Sequence, residues 1–282
     1  MDKIFSDTKK SFFPISFGPK ALSMGNRQSE EDAIKILHRS FELGINFLDT
    51  ANVYCSGLKE IGHNERLISK ALKKYNNSKE IFIGTKGGSR PEVKGGVDCS
   101  PEFLRKSCEK SLKDLDIESI FLYQLHTIDP KISLSESLDT LNELKKEGKI
   151  QNIGLSNVSL EELKEALKVT KIASVQNKCN VFFKEDINNR LIQFCKENNI
   201  TYFAYSPVGG TKEHNEISKN NLLIELANKY KTSTYCIMIS WLLHISDNMI
   251  PIIGASKISS IEDSLKSIKI SLSNDDLGKL NF

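Results

Sequence analysis

The sequence predicts an α/β chain folded as a closed (β/α)8 TIM barrel, with an N-terminal hairpin closing the barrel bottom. Two observations lead there. Short β-branched runs alternate with segments of helical period along the 282 residues. No low-complexity linker or break in composition interrupts them, and the length suits one large barrel. Eight strands that each feed a helix favour closure over an open doubly wound sheet. One barrel domain is therefore expected over residues 1–282.

The alternation opens with a helix over 29–43, where Ser29 followed by Asp32 forms an N-cap signal. Strands are expected over 45–49, 81–85, 119–125, 151–155, 173–177, 201–205, 249–253 and 268–272, which makes eight. Between them, helical periods run over 63–74, 101–115, 134–147, 160–169, 185–197, 221–229 and 259–265. Ser100 before Pro101, and Ser159 followed by Glu162, mark two more helix starts. The longest apolar run, 236–243, is too short for a bilayer and reads as a buried helix holding the sole tryptophan, Trp241. Residues 12–24 stand outside the repeat and are assigned to the hairpin.

Lys and Arg intermix with Asp and Glu, and the net charge is +3, so neither a nucleic-acid stripe nor a polybasic membrane segment is present. The first dozen residues lack a continuous apolar core, and a cytoplasmic location is expected. Cys55, Cys99, Cys108, Cys179, Cys195 and Cys236 form no C-x-x-C pair, which suits free thiols in a reducing compartment. The histidines are dispersed without an H-E-x-x-H, so no metal is expected.

Four ionisable residues sit at the carboxyl ends of three successive expected strands: Asp49 and Tyr54 in GINFLDTANVY, Lys86 in IFIGTKGG, and His126 in SIFLYQLH. Taken singly, each has a bland explanation as a turn cap, a loop charge or packing. Together they form a device for moving a proton, at the barrel end where active sites lie. A phenol titrates near pH ~10, and a nearby ammonium favours the phenolate and lowers that value. Asp49 would keep a buried Lys86 charged, and His126 would donate to a substrate oxygen. A carbonyl accepting hydride develops oxyanion character, which such donors stabilise in the transition state.

DTANVY, GTK, LYQLH, GLSN, the strand holding Gln176, YSP and IIGASK follow in this order from about Phe13 to the end. Together they resemble the aldo-keto reductase superfamily, and GHNERLI (62–68) with SVQNKCN (174–180) brings the chain nearest its soluble bacterial and plant-type branch. The resemblance implies a barrel that binds NADPH and reduces an aldehyde or ketone, with Tyr54 as the acid assisted by Lys86, Asp49 and His126. It implies that Ser156, Asn157 and Gln176 hold the nicotinamide carboxamide and that Tyr205 stacks on the ring. Ser206, Pro207, Gly209 and Gly210 would wrap the pyrophosphate. Gly254, Ser256 and Lys257, at the head of the last barrel helix, would meet a ribose 2′-phosphate, with Glu262 and Asp263 toward the adenine. No G-x-G-x-x-G occurs, so the nucleotide would lie across the barrel top. Many members carry arginine at the position of Ser259 and asparagine at that of Asp263, so NADH is admitted beside NADPH. Cys55 stands where glycine is frequent.

Candidate substrate walls are the loop 87–99, with Arg90 and Lys94, and the stretch around Met24. The chain ends at Phe282 without a long tail, and an open site for small carbonyl substrates in a monomer is expected. Two other readings stand. One is a nucleotide-binding regulatory module resembling potassium-channel β subunits, with little turnover. The other is a barrel lyase or isomerase using Lys86 as a Schiff-base amine.

Overall fold

Eight parallel strands close into a barrel in the computed structural model, which describes every residue except 1, 7, 9, 94, 95, 211, 212, 218 and 282. A two-stranded antiparallel hairpin comes first, β1 (Lys3–Ile4) with β2 (Ser11–Phe12). The barrel strands are β3 (Ser16–Phe17), β4 (Phe47–Asp49), β5 (Phe82–Gly87), β6 (Ile120–Leu125), β7 (Ile150–Ser156), β8 (Ser174–Lys178), β9 (Thr201–Tyr205) and β10 (Met249–Ile253). Each pairs with its successor, and β10 closes on β3 through Ile252 with Ser16 and Ile253 with Phe17.

Helices α1 (Glu30–Glu42), α2 (His63–Lys73), α3 (Pro101–Leu115), α4 (Leu134–Lys146) and α5 (Leu160–Val169) follow β3 to β7. The remainder are α6 (Glu185–Asn188), α7 (Leu191–Glu197), α8 (His214–Ile217), α9 (Asn221–Lys229), α10 (Thr234–Ile245), α11 (Ile258–Lys266) and α12 (Asn274–Asn281). Ser29 accepts from the Asp32 amide, and Ser159 with Glu162 closes a reciprocal capping box, so local chemistry starts both helices where the sequence indicates. Ser100 behaves differently: its hydroxyl donates to Asp98 and leaves the first turn of α3 uncapped.

Three expectations are corrected. Residues 268–272 form no strand: a 3-10 turn, Ser267–Lys269, begins there, and Ile268 and Ile270 pack outside the barrel against the core. The eighth barrel strand is instead Ser16–Phe17, inside the segment assigned to the hairpin, while the hairpin lies earlier, at Lys3–Phe12. The helix expected over 185–197 is two helices, because Arg190 adopts a left-handed φ of 67° and Asn189 caps Leu191. The hairpin does close the amino end. Phe5 and Phe12 fill it against Phe47, Phe121 and Phe203, with Phe12 and Phe47 ring centres 5.0 Å apart.

Candidate active site

At the opposite end, a cleft of about 800 Å³ opens over the carboxyl termini of the strands. Backbone bonds that continue the sheet fix its walls. The Thr50 amide donates to Gly84 O at 2.8 Å, the His126 amide to Gly87 O at 2.9 Å, and the Asn157 amide to Gln176 O at 3.1 Å. Asp49, Tyr54 and His126 line the cleft, and Lys86 lies fully buried beneath them on β5.

The four are brought into one network. Lys86 Nζ donates to both Asp49 oxygens at 2.7 and 2.8 Å, to Thr50 O at 2.9 Å and to the Tyr54 hydroxyl at 3.2 Å. Gln176 Nε2 holds Asp49 Oδ1 at 2.7 Å, so the carboxylate is gripped from two strands. The Tyr54 and His126 rings meet edge to face with centroids 6.0 Å apart. His126 Nδ1 is buried without a partner among the described residues.

Burial would drive the Lys86 pKa down, but Asp49 and then Tyr54 outweigh it, and the net direction is up: this lysine stays charged. For Tyr54, burial pushes the phenol above its ordinary value, Lys86 pulls it down, and Asp49 adds to the rise. The net direction is upward, so the depression expected from Lys86 is overtaken by desolvation in this closed corner. His126 is held neutral, its pKa lowered to about 3 by burial, then by Lys86 and Lys20.

The residues assigned to a cofactor divide into two groups. Ser156, Asn157, Gln176, Tyr205, Ser206, Pro207, Gly209, Gly210 and Gly254 all line the same cleft. Two of them carry left-handed backbones, Asn157 at φ 58°, which asparagine tolerates, and Ser206 at φ 51°, which is uncommon for serine. Asn157 is locked in place: its amide donates to His126 O and Ser156 Oγ, and its oxygen accepts from the Tyr205 hydroxyl. Ser256 and Lys257 line an adjoining hollow with Asn26, Gln28 and Lys35. Glu262 and Asp263 stand apart. Arg39 on α1 holds Glu262 at 2.8 Å, while Asp263 accepts from Ser233 and Lys266.

Residues 14–281 match the model of the Aldo/keto reductase family. The chain belongs to that family. Over 260 residues, 90% of this chain, it is 33% identical to oxidoreductase C215.11c of Schizosaccharomyces pombe, spanning 79% of that protein. It is 27% identical to aldo-keto reductase str7 of Strobilurus tenacellus, over 89% of this chain and 80% of the relative. Among solved structures, the thermostable aldo-keto reductase Tm1743, complexed with the inhibitor epalrestat, superposes with a TM-score of 0.83 at 27% identity, covering 100% of this chain and 98% of that one. This aldo-keto reductase is thus an enzyme, an oxidoreductase of carbonyl compounds. Among its described residues no helix is long and apolar enough to cross a membrane.

Two features at this cleft escaped the sequence. Lys20 lines the cleft, with its ammonium 5.1 Å from the Tyr54 ring centre. It stands three residues after β3, at the carboxyl end of a strand that is two residues long and therefore shows no periodicity. Behind the sheet, the first turn of α2 grips the neighbours of the buried pair. Asn64 accepts from Thr50 at 2.7 Å and Glu65 from Thr85 at 2.6 Å, one residue from Asp49 and Lys86 respectively. The loop wall is corrected as well. Arg90 pairs with Asp98 and Glu92 and does not line the cleft, and Lys94 lies outside the described residues. Met24 does line it.

Proposed function

We propose that this aldo-keto reductase uses NADPH to reduce an aldehyde or ketone to the alcohol, with Tyr54 as proton donor. The observation that carries it is the ammonium of Lys86, shared between the Asp49 carboxylate and the Tyr54 hydroxyl beside a neutral imidazole. A phenol kept protonated by burial is an acid throughout the neutral range. Once its proton has gone to the substrate oxygen, the phenolate is left against Lys86, which opposes the cost of charging it. His126, neutral and with no partner for Nδ1 among the described residues, best carries its proton on Nε2, since an unbonded lone pair costs less than an unbonded N–H. That N–H donates to the carbonyl oxygen and orients it.

The cleft suits the nucleotide. Gln176 Oε1 accepts no bond from the described residues and, with the Ser156 hydroxyl, matches a carboxamide. The Gly210 amide is already bonded to an anion, the Glu213 carboxylate, which Lys178 holds at 2.7 Å. Gly209, at φ 73°, leaves no room for a side chain beside Glu213, so the backbone itself forms that anion site. When bound, NADPH supplies the hydride. Lys257 makes no ion pair among the described residues and is the cation for a 2′-phosphate, while Asp32 in the same hollow is paired with Lys35. Glu262 and Asp263 are engaged elsewhere, which leaves fewer contacts for the adenine common to both nucleotides, and NADH, which lacks only the 2′-phosphate that Lys257 would meet, is a weaker substitute.

The charged state of Lys86 argues against a Schiff-base amine. The test is steady-state NADPH consumption with nitrobenzaldehyde by the wild type and by Tyr54→Phe. Sustained turnover that disappears without the phenol supports the proposal. Nucleotide binding without turnover would sink it and leave the regulatory module, and borohydride trapping on Lys86 would favour the lyase.

A further inference from the structure

Accepting the carbonyl reductase reading, we propose that the substrate carries a carboxylate close to its carbonyl group and that Lys20 is the residue that selects it. Among the described residues lining the cleft there is one acid, Asp49, and it is bonded to Lys86 and Gln176. Among the described lining residues the one cation is Lys20, and no carboxylate among the described residues pairs with it. Among the described residues, Arg90 is paired with Asp98, Arg27 with Glu60 and Lys178 with Glu213, while the unpaired Lys257 lines the separate hollow beside Ser256 and not this cleft.

The position of Lys20 is built into the fold. It belongs to a 3-10 turn, Pro19–Leu22, that is pinned on all sides. The Gly18 amide donates to Ile253 O at 2.8 Å, Asn64 donates to Pro19 O at 2.9 Å, and the Ser23 amide closes the turn on Lys20 O. The neighbouring lining is apolar, with Ala21, Met24 and Val53. Burial and then the charge on Lys86 lower the pKa of the ammonium, and Asp49 offsets them only in part, so an anion arriving there relieves a remaining repulsion. The ammonium lies 5.1 Å from the Tyr54 ring centre, so a carboxylate that meets it stands a few bonds from a carbonyl oxygen held by Tyr54. Short-chain oxo acids and carboxylate-bearing aldehydes meet that spacing. The field of Lys20 would also raise their encounter rate.

The experiment compares 4-oxobutanoate with its amide, and 4-carboxybenzaldehyde with its methyl ester, using the NADPH-loaded wild type, Lys20→Met and Lys20→Arg. The expected wild-type preference for the acid, as a ratio of kcat/KM, is about tenfold or more. That ratio should collapse to near unity in Lys20→Met, chiefly through KM, and return in large part in Lys20→Arg. An absent preference, or one unchanged by Lys20→Met, overturns the proposal. So does a Lys20→Met protein whose NADPH affinity, read by fluorescence, falls while the acid-to-ester ratio holds, since Lys20 would then serve the nucleotide. If no carbonyl compound is turned over, the reductase reading fails by itself. The anion site is then judged by calorimetric titration with 4-hydroxybutanoate: binding to the wild type but not to Lys20→Met upholds it, and equal or absent binding overturns it.

Discussion

The two ends of the barrel are built from opposite materials. The amino end is a plug of phenylalanines in which Phe5, Phe12, Phe47, Phe121 and Phe203 touch one another without a charge among them. The carboxyl end buries an ion pair, holds an imidazole with one nitrogen unpartnered among the described residues, and raises a phenol above its ordinary pKa. The first arrangement gains from every contact. The second carries desolvation that its hydrogen bonds must offset. Chemistry at one end is therefore tolerated because packing at the other supplies stability, and substitutions should separate the two roles.

The largest effect is expected at Tyr54. Tyr54→Phe should lower kcat by about 10²–10⁴, while a thermal scan shows little change, because the lost hydroxyl bonds one side chain, Lys86. Lys86→Met attacks the same end through stability, since it leaves Asp49 buried with Gln176 as its remaining side-chain partner. Removing one member of a buried pair costs about 3–5 kcal/mol, readable as a urea midpoint, and Asp49→Leu added to it should restore part of the loss. If the double variant is no more stable than the single, the charge left behind is not what destabilises it.

At the other end, Phe12→Ala should cost about 3 kcal/mol or more through the cavity it opens, yet keep kcat within about twofold, because Phe12 lies at the far end of the strands from the cleft. A large loss of kcat without a loss of stability would erase the contrast between the ends. Behind the sheet, Glu65 tests the boundary of the chemical end. Burial raises its pKa, and its Oε1 takes the Thr85 hydroxyl. Glu65→Gln should be nearly silent in urea, whereas Glu65→Leu orphans that hydroxyl and should cost about 1–3 kcal/mol.

The chemical end was the more legible in the sequence, and the reason is physical. Asp49, Lys86 and His126 follow β-branched runs long enough to show a strand, and a polar residue closing such a run is conspicuous. Ser16–Phe17 is too short to show any period, so its role as a barrel strand was hidden and Lys20 with it. The alternation at Ile268, Ile270 and Leu272 had the opposite effect, because residues docking a connector against the core can mimic a strand. Asn64 and Glu65 were visible within GHNERLI, but their hold on Thr50 and Thr85 depends on how α2 crosses the sheet, which no local pattern encodes.

The last effect is a pH dependence peculiar to the chemical end. In the folded enzyme His126 titrates at about 3, below the ordinary 6.5 that the unfolded chain would show, with burial as the main cause. Well above pH 6.5 neither state binds this proton and the slope from His126 vanishes. Between the two values the unfolded chain binds a proton that the native state refuses, so stability must fall as pH falls, by up to about 1.4 kcal/mol per unit from this group. Carboxylates titrate in the same range, so the comparison is with His126→Gln, in which they are common to both proteins. Urea midpoints taken at pH 7, 5.5 and 4.5 should show the wild type losing stability faster than the variant. Parallel curves would mean that His126 is protonated as easily in the fold as out of it, and the imidazole could not then be the neutral donor that the mechanism requires. The kinetic counterpart is a kcat/KM profile with no break from His126 near pH 6.5.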